Sequence, residues 1–191
     1  LANTISPSDP DSRISGFRSQ VSSLVVIGDG PMRKALERMA RELGISDSVI
    51  FLGSRPHAEV ALWMNIADCL CLPSRSEGMP NVVIEALVSG LPVVATDVGG
   101  VRELLEEEPG ARIVSAAETG SQNPESRIQK SEDRSQRSES SDQQCAIHFA
   151  TAIVEILDMK TDRKAMAERN KGRFSWKKQA ETILGLVEGA L

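Results

Sequence analysis

Short, continuous apolar runs alternate with segments of helical spacing along most of this chain, and this alternation constrains its fold more than any other feature. Each run is four residues long. It lacks the polar–apolar alternation of a strand whose sheet has one solvent-exposed face, so it is typical of a parallel strand buried on both faces. The runs are Leu24–Ile27, Val49–Leu52, Cys69–Leu72 and Pro92–Ala95. A fifth strand is predicted over Ala111–Val114, where Arg112 interrupts the apolar residues. Strands that alternate with helices predict an α/β fold, a Rossmann-like parallel sheet with helices on both faces.

The helices between these strands are joined to them by short loops, as in βαβ units. They run from about Pro31 to Leu43, from His57 to Ala67, from Pro80 to Ser89 and over Val101–Glu107. Three C-terminal helices are predicted from Phe149 to Leu157, over residues 161–172 and from Trp176 towards Leu191.

We expect an irregular polar segment over residues 1–22 and one Rossmann-like domain over residues 23–191. Within the domain, residues 116–144 hold seven serines, charges of both signs and one large aliphatic residue, Ile128. Such a stretch buries too little apolar surface to offset its ordering entropy. Because helical spacing resumes after it, we predict a disordered insertion at 116–144 and not a domain boundary.

The composition of the 191 residues excludes several classes of protein. A net charge of −5 without a basic stripe argues against nucleic acid as a partner, and no apolar run is long enough for a transmembrane segment. Cys69, Cys71 and Cys145 cannot all pair, which favours a reducing compartment. The expected location is therefore the cytoplasm, with the inner face of a membrane as the alternative. No metal site is expected, since the spacing of Cys69 and Cys71 fits packing residues on a strand better than metal ligands.

The segment from Pro73 to Leu87 is the most informative one, because it leaves the third strand and enters a predicted helix. It carries two carboxylates, Glu77 in the loop and Glu85 on the helix, separated by seven residues. The helix start between them offers free N–H groups and a positive dipole end, which favour a diphosphate. Ionised carboxylates accept hydrogen bonds from the hydroxyls of a sugar or a ribose. The combination indicates a nucleotide-sugar site, although an isolated pair of glutamates is more often a solvated helix face.

Together with its neighbours, this segment resembles the C-terminal donor-binding domain of family 4 (group 1) glycosyltransferases. The resemblance covers residues 23–115 and 146–191. The stretches that carry it are Val26–Pro31, Val49–Gly53, Pro73–Leu87, Gly90–Asp97 with Gly99 and Gly100, and Phe174–Trp176.

The resemblance implies one half of a GT-B architecture, with an acceptor-binding N-terminal domain or subunit as a partner. It implies retaining, metal-independent transfer of a sugar, with a nucleotide-sugar donor substrate and no cofactor. Glu77 is implied as the catalytic residue that contacts the donor sugar, and Glu85 as the residue that binds the ribose. The other implied donor-binding residues are Gly78, Met79, Pro80 and Asn81 around sugar and phosphate, and Gly28, Gly30 and Gly53 near the base.

The sequence departs from the family in two ways. The family's donor domain opens with a strand and a turn whose Arg and Lys neutralise the diphosphate, and residues 1–22 show neither; the acceptor domain is also absent. We therefore expect a chain that is inactive alone. The alternatives are a non-catalytic nucleotide-sugar-binding or partner subunit and a sugar-nucleotide epimerase of related fold.

Two glycine motifs have competing interpretations. Gly28 and Gly30 could begin a dinucleotide fingerprint, but Arg33 stands at the third glycine position, which disfavours an NAD site. Gly99 and Gly100 fit either a phosphate contact or a tight turn. Neither motif, nor any other, identifies the base, the sugar or the acceptor.

Overall fold

The computed structural model describes residues 23–115 and 139–175, with side chains in the second range described from residue 143. Predictions for residues 1–22, for residues 116–138 and for the helix from Trp176 lie outside the described residues. The chain divides into two compact units, Leu1–Trp63 and Met64–Leu191. We call them unit 1 and unit 2 and describe each by itself.

Unit 1 contains strand β1 (Leu24–Ile27), helix α1 (Arg33–Glu42), a short 3-10 helix (Ser46–Ser48) and strand β2 (Val49–Gly53). The two strands form a parallel pair in which Leu24 lies opposite Val49 and Ile27 opposite Gly53. Helix α2 (His57–Ile66) follows, and the division between the units falls within it.

Helix α1 leaves most of its apolar side chains exposed. Met32, Leu36, Met39 and Leu43 are between 41% and 63% exposed, whereas Ala40 is buried. On the other side of the helix, Arg33 donates to the carbonyl of Phe51 at 3.3 Å and pairs with Glu37 at 2.9 Å. This helix is therefore tied to its strand by an arginine more than by a packed apolar face.

In its described residues, unit 2 contains three strands and four further helices, which alternate strictly up to the last strand. They are β3 (Leu70–Leu72), α3 (Asn81–Val88), β4 (Val93–Thr96), α4 (Val101–Leu105), β5 (Ala111–Val114), α5 (Glu139–Asp158) and α6 (Arg163–Arg173). The strands form a parallel sheet in the order β3–β4–β5. The predicted α/β class is thus confirmed, with the five strands arranged as one two-stranded and one three-stranded parallel sheet.

The core of unit 2 lies on both sides of β4, whose four residues are all buried. On one side, Val83, Ala86 and Leu87 of α3 are fully buried. The other side is covered by α5, whose buried residues Phe149, Ala152 and Ile156 pack with Val94 and Val114.

The Cys69 and Cys71 thiols are partly buried against the cluster under α5, so the prediction that they are packing residues is confirmed. Hydrogen bonding to Cys69 lowers the pKa of the Cys71 thiol. The same contact, together with burial, raises the pKa of Cys69.

A single arginine joins three chain segments on unit 2. Arg163, at the start of α6, donates to the carbonyls of Met64, Ala67 and Gly90 at 2.9, 2.8 and 3.0 Å. These carbonyls belong to the ends of α2 and α3, where the helix leaves its last carbonyls without internal partners. The arginine therefore satisfies acceptors that would otherwise need water.

Helix α5 begins at Glu139, earlier than predicted. Residues 139–144, which we predicted to belong to the disordered insertion, are therefore helical. Their composition argued against order, but extending a helix already anchored at Phe149 costs far less than nucleating one. In the described part of the chain, no helix is long and apolar enough to cross a membrane.

Candidate functional site

Two loops leave the same edge of the unit 2 sheet. The Glu77 loop (residues 73–80) follows β3 and leads into α3, and the Gly99 turn (residues 97–100) follows β4 and leads into α4. Because β3 and β4 are adjacent and parallel, with Leu72 opposite Ala95, the two loops emerge side by side. This edge is where open α/β sheets bind their ligands.

The carboxylate of Glu77 is held by a residue of its own loop. Ser74 Oγ donates a hydrogen bond to Glu77 Oε1 at 2.6 Å. The main chain at Ser74 is held in turn by Thr96, whose hydroxyl donates to the Ser74 carbonyl and lies 3.4 Å from the Leu72 carbonyl. Thr96 is 5% exposed and ends the buried strand β4. The position of Glu77 is thus tied to the core of the sheet.

The Gly99 turn packs directly against the backbone of the Glu77 loop. Gly100 N–H donates to the Gly78 carbonyl at 2.7 Å. Gly99 has a φ of +55°, and a Cβ on it would stand 2.0 Å from the carbonyl oxygen of Glu77. A Cβ on Gly100 would stand 2.9 Å from Cε of Met79. Gly99 and Gly100 therefore form a tight turn against the Glu77 loop, in which the Gly100 N–H is already bonded.

The start of α3 presents main-chain donors beside this loop. Pro80 is the N-cap, is buried and accepts from Val83 N–H at 3.0 Å. Within the described residues, the N–H groups of Gly78, Met79 and Asn81 form no backbone hydrogen bond. Free N–H groups at a helix start attract anions. Pro80 has no N–H to contribute, so its part in such a site is to set the helix start.

Glu85 lies one helical turn after Asn81, on the same face of α3. Its side chain is half-buried, whereas Val83, Ala86 and Leu87 on the other face are fully buried. Asn81 and Glu85 therefore share the side of α3 that does not pack on the core.

Charged groups near the Gly99 turn are largely paired with each other. Asp97 accepts a hydrogen bond from Arg102, and Arg102 lies 3.9 Å from Glu106. The hydrogen bond to Asp97 raises the pKa of Arg102, which stays protonated. Among residues 23–115 and 139–175, no group of three His, Cys, Asp or Glu side chains could hold a metal ion.

The predicted glycines of unit 1 meet at the ends of β1 and β2. Gly28 N–H donates to the Gly53 carbonyl at 2.9 Å, and both glycines have positive φ, +129° and +73°. Gly30 N–H is bonded to the Asp29 carboxylate at 2.9 Å. A Cβ on Gly53 would stand 2.9 Å from Nη1 of Arg33, the residue at the third fingerprint position. Gly28 and Gly53 are therefore hydrogen-bonded to each other, and the Gly30 N–H is bonded to Asp29.

The structure thus places the predicted site residues in two groups, one in each unit. The unit 2 group is Glu77, Gly78, Met79, Pro80, Asn81 and Glu85, and the unit 1 group is Gly28, Gly30 and Gly53. Sequence reasoning missed Ser74 and Thr96 as supports of Glu77. The spacing of Ser74 and Glu77, three residues apart, was a usable signal, since a serine hydroxyl at that distance often bonds a glutamate. Thr96 gave no such signal, because its partner lies 22 residues away.

Comparisons with known proteins give a consistent result. A family model described as glycosyl transferases group 1 matches residues 18–143 of the 191. A D-inositol 3-phosphate glycosyltransferase from Corynebacterium urealyticum is 31% identical over 156 residues, which is 80% of this chain and 30% of that protein. A putative teichuronic acid biosynthesis glycosyltransferase from Bacillus subtilis is 44% identical over 80 residues, 42% of this chain and 18% of that protein. The chain therefore spans less than a third of the length of these relatives.

Solved structures match over nearly the whole chain. Sucrose-phosphate synthase from Thermosynechococcus elongatus aligns with a TM-score of 0.62 and 23% identity, over 93% of this chain and 42% of that one. A lipopolysaccharide outer core galactosyltransferase aligns with a TM-score of 0.61 and 18% identity, over 95% of this chain and 45% of that one. At these identities the match shows the fold alone, the Rossmann-like architecture of GT-B proteins.

Proposed function

The chain belongs to the group 1 glycosyltransferases, and from this premise we propose that it binds a nucleotide-sugar and serves in transfer of the sugar to an acceptor. The observation that carries the proposal is the juxtaposition, in unit 2, of the Glu77 carboxylate with the unbonded N–H groups of Gly78, Met79 and Asn81. Carboxylate and helix start suit the two chemistries of such a donor, hydroxyl groups and an anionic diphosphate.

Each residue has a distinct proposed role. Glu77 accepts hydrogen bonds from the donor sugar, and Glu85 accepts them from the ribose. The N–H groups of Gly78, Met79 and Asn81 face the diphosphate. Gly28, Gly30 and Gly53 remain our proposal for the neighbourhood of the base, with the first and last contributing backbone shape, since the Gly28 N–H is already bonded to Gly53.

During transfer, the bond from the anomeric carbon to the diphosphate oxygen breaks, a bond to the acceptor hydroxyl oxygen forms, and the proton of that hydroxyl passes to the departing diphosphate. Negative charge grows on the departing diphosphate, and fixed N–H dipoles aimed at that charge lower the barrier. We propose retention of the anomeric configuration without a metal ion, and an acceptor-binding domain or subunit as the partner. A cytoplasmic location is part of the same proposal.

The test is a calorimetric titration of the chain with UDP, GDP and ADP and with UDP-glucose, GDP-mannose and ADP-glucose. Glu85→Ala should weaken nucleotide and nucleotide-sugar alike by about tenfold, the value of one lost hydrogen bond to a charged group. Glu77→Ala should weaken only the sugar-bearing ligand. Glu107→Ala, which removes an exposed glutamate elsewhere in unit 2, is the matched control and should change neither.

Three outcomes would contradict the proposal. If none of the six ligands binds at millimolar concentration, the proposed donor site does not exist in this chain. Equal loss of bare nucleotide in both glutamate variants would overturn the division of roles. Loss of binding with a chelator would overturn the metal-free mechanism. Turnover measured on the same samples, with and without an added acceptor domain, separates a transferase from a non-catalytic binding subunit.

A further inference from the structure

Ser74 in the Glu77 loop has both its carbonyl and its hydroxyl engaged in hydrogen bonds. Its carbonyl accepts from the hydroxyl of Thr96, and its own hydroxyl donates to Glu77 Oε1 at 2.6 Å. Thr96 lies at the end of a buried strand, where its main chain is bonded into the sheet beside Val114. A continuous chain of hydrogen bonds therefore runs from the sheet to one oxygen of the carboxylate.

The spacing of Ser74 and Glu77 matches that of a helix capping box, but the bond does not cap a helix. In a capping box the glutamate is the third residue of the helix and returns a bond to the serine N–H. Here α3 begins at Asn81, four residues after Glu77, with Pro80 as its N-cap. The bond therefore contributes nothing to the start of α3, and its effect is on the carboxylate itself.

A bond to one carboxylate oxygen selects the direction of the other. A free glutamate side chain samples several rotamers, and restricting it costs free energy at the moment of binding. With Oε1 held by a short bond to a hydroxyl, the rotation of the carboxylate is limited. Oε2 forms no hydrogen bond with any residue that the structure describes, so it is the oxygen open to a ligand hydroxyl.

The backbone of the same residue is fixed independently. Gly99 stands so close to the Glu77 carbonyl that a Cβ would lie 2.0 Å from its oxygen, and Gly100 N–H bonds the Gly78 carbonyl at 2.7 Å. The peptide after Glu77 is thus held by the Gly99 turn, and the carboxylate by Ser74. Loss of the Ser74 hydroxyl should free the side chain without releasing the loop.

We propose that Ser74 is a positioning residue that holds the Glu77 carboxylate so that its second oxygen faces the sugar of the donor. This inference rests on the proposed function of Glu77. The position of the N–H groups that face the diphosphate does not depend on Ser74 Oγ. The contact between the Glu77 carboxylate and the sugar does.

The experiment compares, for whichever nucleotide of UDP, GDP and ADP binds, the affinity of the bare diphosphate with that of its sugar conjugate. Ser74→Ala should weaken the sugar conjugate by about five- to tenfold, the range expected for one net hydrogen bond, and leave the bare diphosphate within twofold. Ser74→Thr, which keeps the hydroxyl, should restore the affinity. Ser76→Ala, in the same loop and exposed, is the matched control and should change neither ligand.

A double variant tests whether Ser74 acts through Glu77. If it does, Ser74→Ala should cause no further loss in a Glu77→Ala background, because effects that pass through one residue are not additive. Equal weakening of both ligands by Ser74→Ala, or additive losses in the double variant, would show a structural role and overturn the proposal. Ser74→Ala could leave the affinity for the sugar conjugate unchanged while Glu77→Ala still lowers it. That result would overturn this inference and leave the proposed function standing. Absence of binding in the wild type overturns both.

Discussion

Units 1 and 2 follow the same strand–helix alternation but bury their apolar side chains very differently. In unit 2, Val83, Leu87, Val93 and Val94 are fully buried. Among the described residues of unit 1, Ala40 and Gly53 are the ones that are buried, and Leu43, directly after α1, is 63% exposed. A shared local pattern therefore does not imply equal support. Loops on unit 2 rest on a packed core, whereas turns on unit 1 rest on hydrogen bonds and one arginine.

The difference in core packing gives the largest expected effect. Leu87→Ala should lower the free energy of unfolding by about 3 kcal/mol, within the 2–5 kcal/mol typical of a buried leucine, because a cavity replaces the side chain. Leu43→Ala, at a position 63% exposed, should change it by less than about 0.5 kcal/mol. Urea unfolding of both variants measures the two values. Equal losses of unfolding free energy would mean that Leu43, at the end of α1, is packed in solution as tightly as Leu87 of α3.

The arginines of the two units offer a second comparison. Arg163→Met removes three hydrogen bonds to carbonyls at helix ends and should cost about 2–3 kcal/mol. Arg33→Met removes a bond to one carbonyl and part-exposed ion pairs with Glu37 and Asp29, and should cost about 1 kcal/mol or less. The same unfolding measurement applies. If Arg33→Met lowers the free energy of unfolding more than Arg163→Met does, the arginine of unit 1 is the more important of the two.

Replacing glycines that have a positive φ should give the smallest of the three changes in the free energy of unfolding, and the most local one. Gly99→Ala combines an unfavourable φ with a clash against the Glu77 carbonyl, and should cost about 1–3 kcal/mol and weaken the nucleotide-sugar. Gly44→Ala has a similar φ of +67° but no atom within 4 Å of the added Cβ, so it isolates the cost of φ, about 1 kcal/mol. Unfolding and titration are measured on both. If Gly44→Ala costs as much as Gly99→Ala, the clash has no effect of its own.

Much of the fold could be predicted from the sequence, because buried strands and amphipathic helices leave local patterns. The strands Leu24–Ile27 and Ala111–Val114 have the predicted bounds, and α2 begins at His57 as predicted. The start of α5 at Glu139 could not be predicted from composition, since polar residues there continue a helix whose buried face lies further along. Division of the strands between two sheets also left no local signal.

For the candidate site, the loop and the helix that hold its residues were predictable, and the contacts between those residues were not. The Glu77 and Glu85 spacing and the helix start at Pro80 are local features, and the structure places them as expected around α3. The hydrogen bond from Thr96 to Ser74 and the approach of Gly99 to Glu77 join loops 22 residues apart in sequence. Such contacts depend on strand register, and strands that are apolar on both faces carry no polar–apolar alternation from which the register could be read.

The close approach of Gly99 to the Glu77 peptide also limits how this loop can move. The turn leads into α4, whose residues Val101, Leu104 and Leu105 are buried in the core of unit 2. A shift of the Glu77 backbone towards the turn would have to displace that helix, so the loop is stiff on one side. Ligand binding here should therefore resemble docking on a preformed surface, with little ordering of the main chain and a correspondingly small entropic penalty.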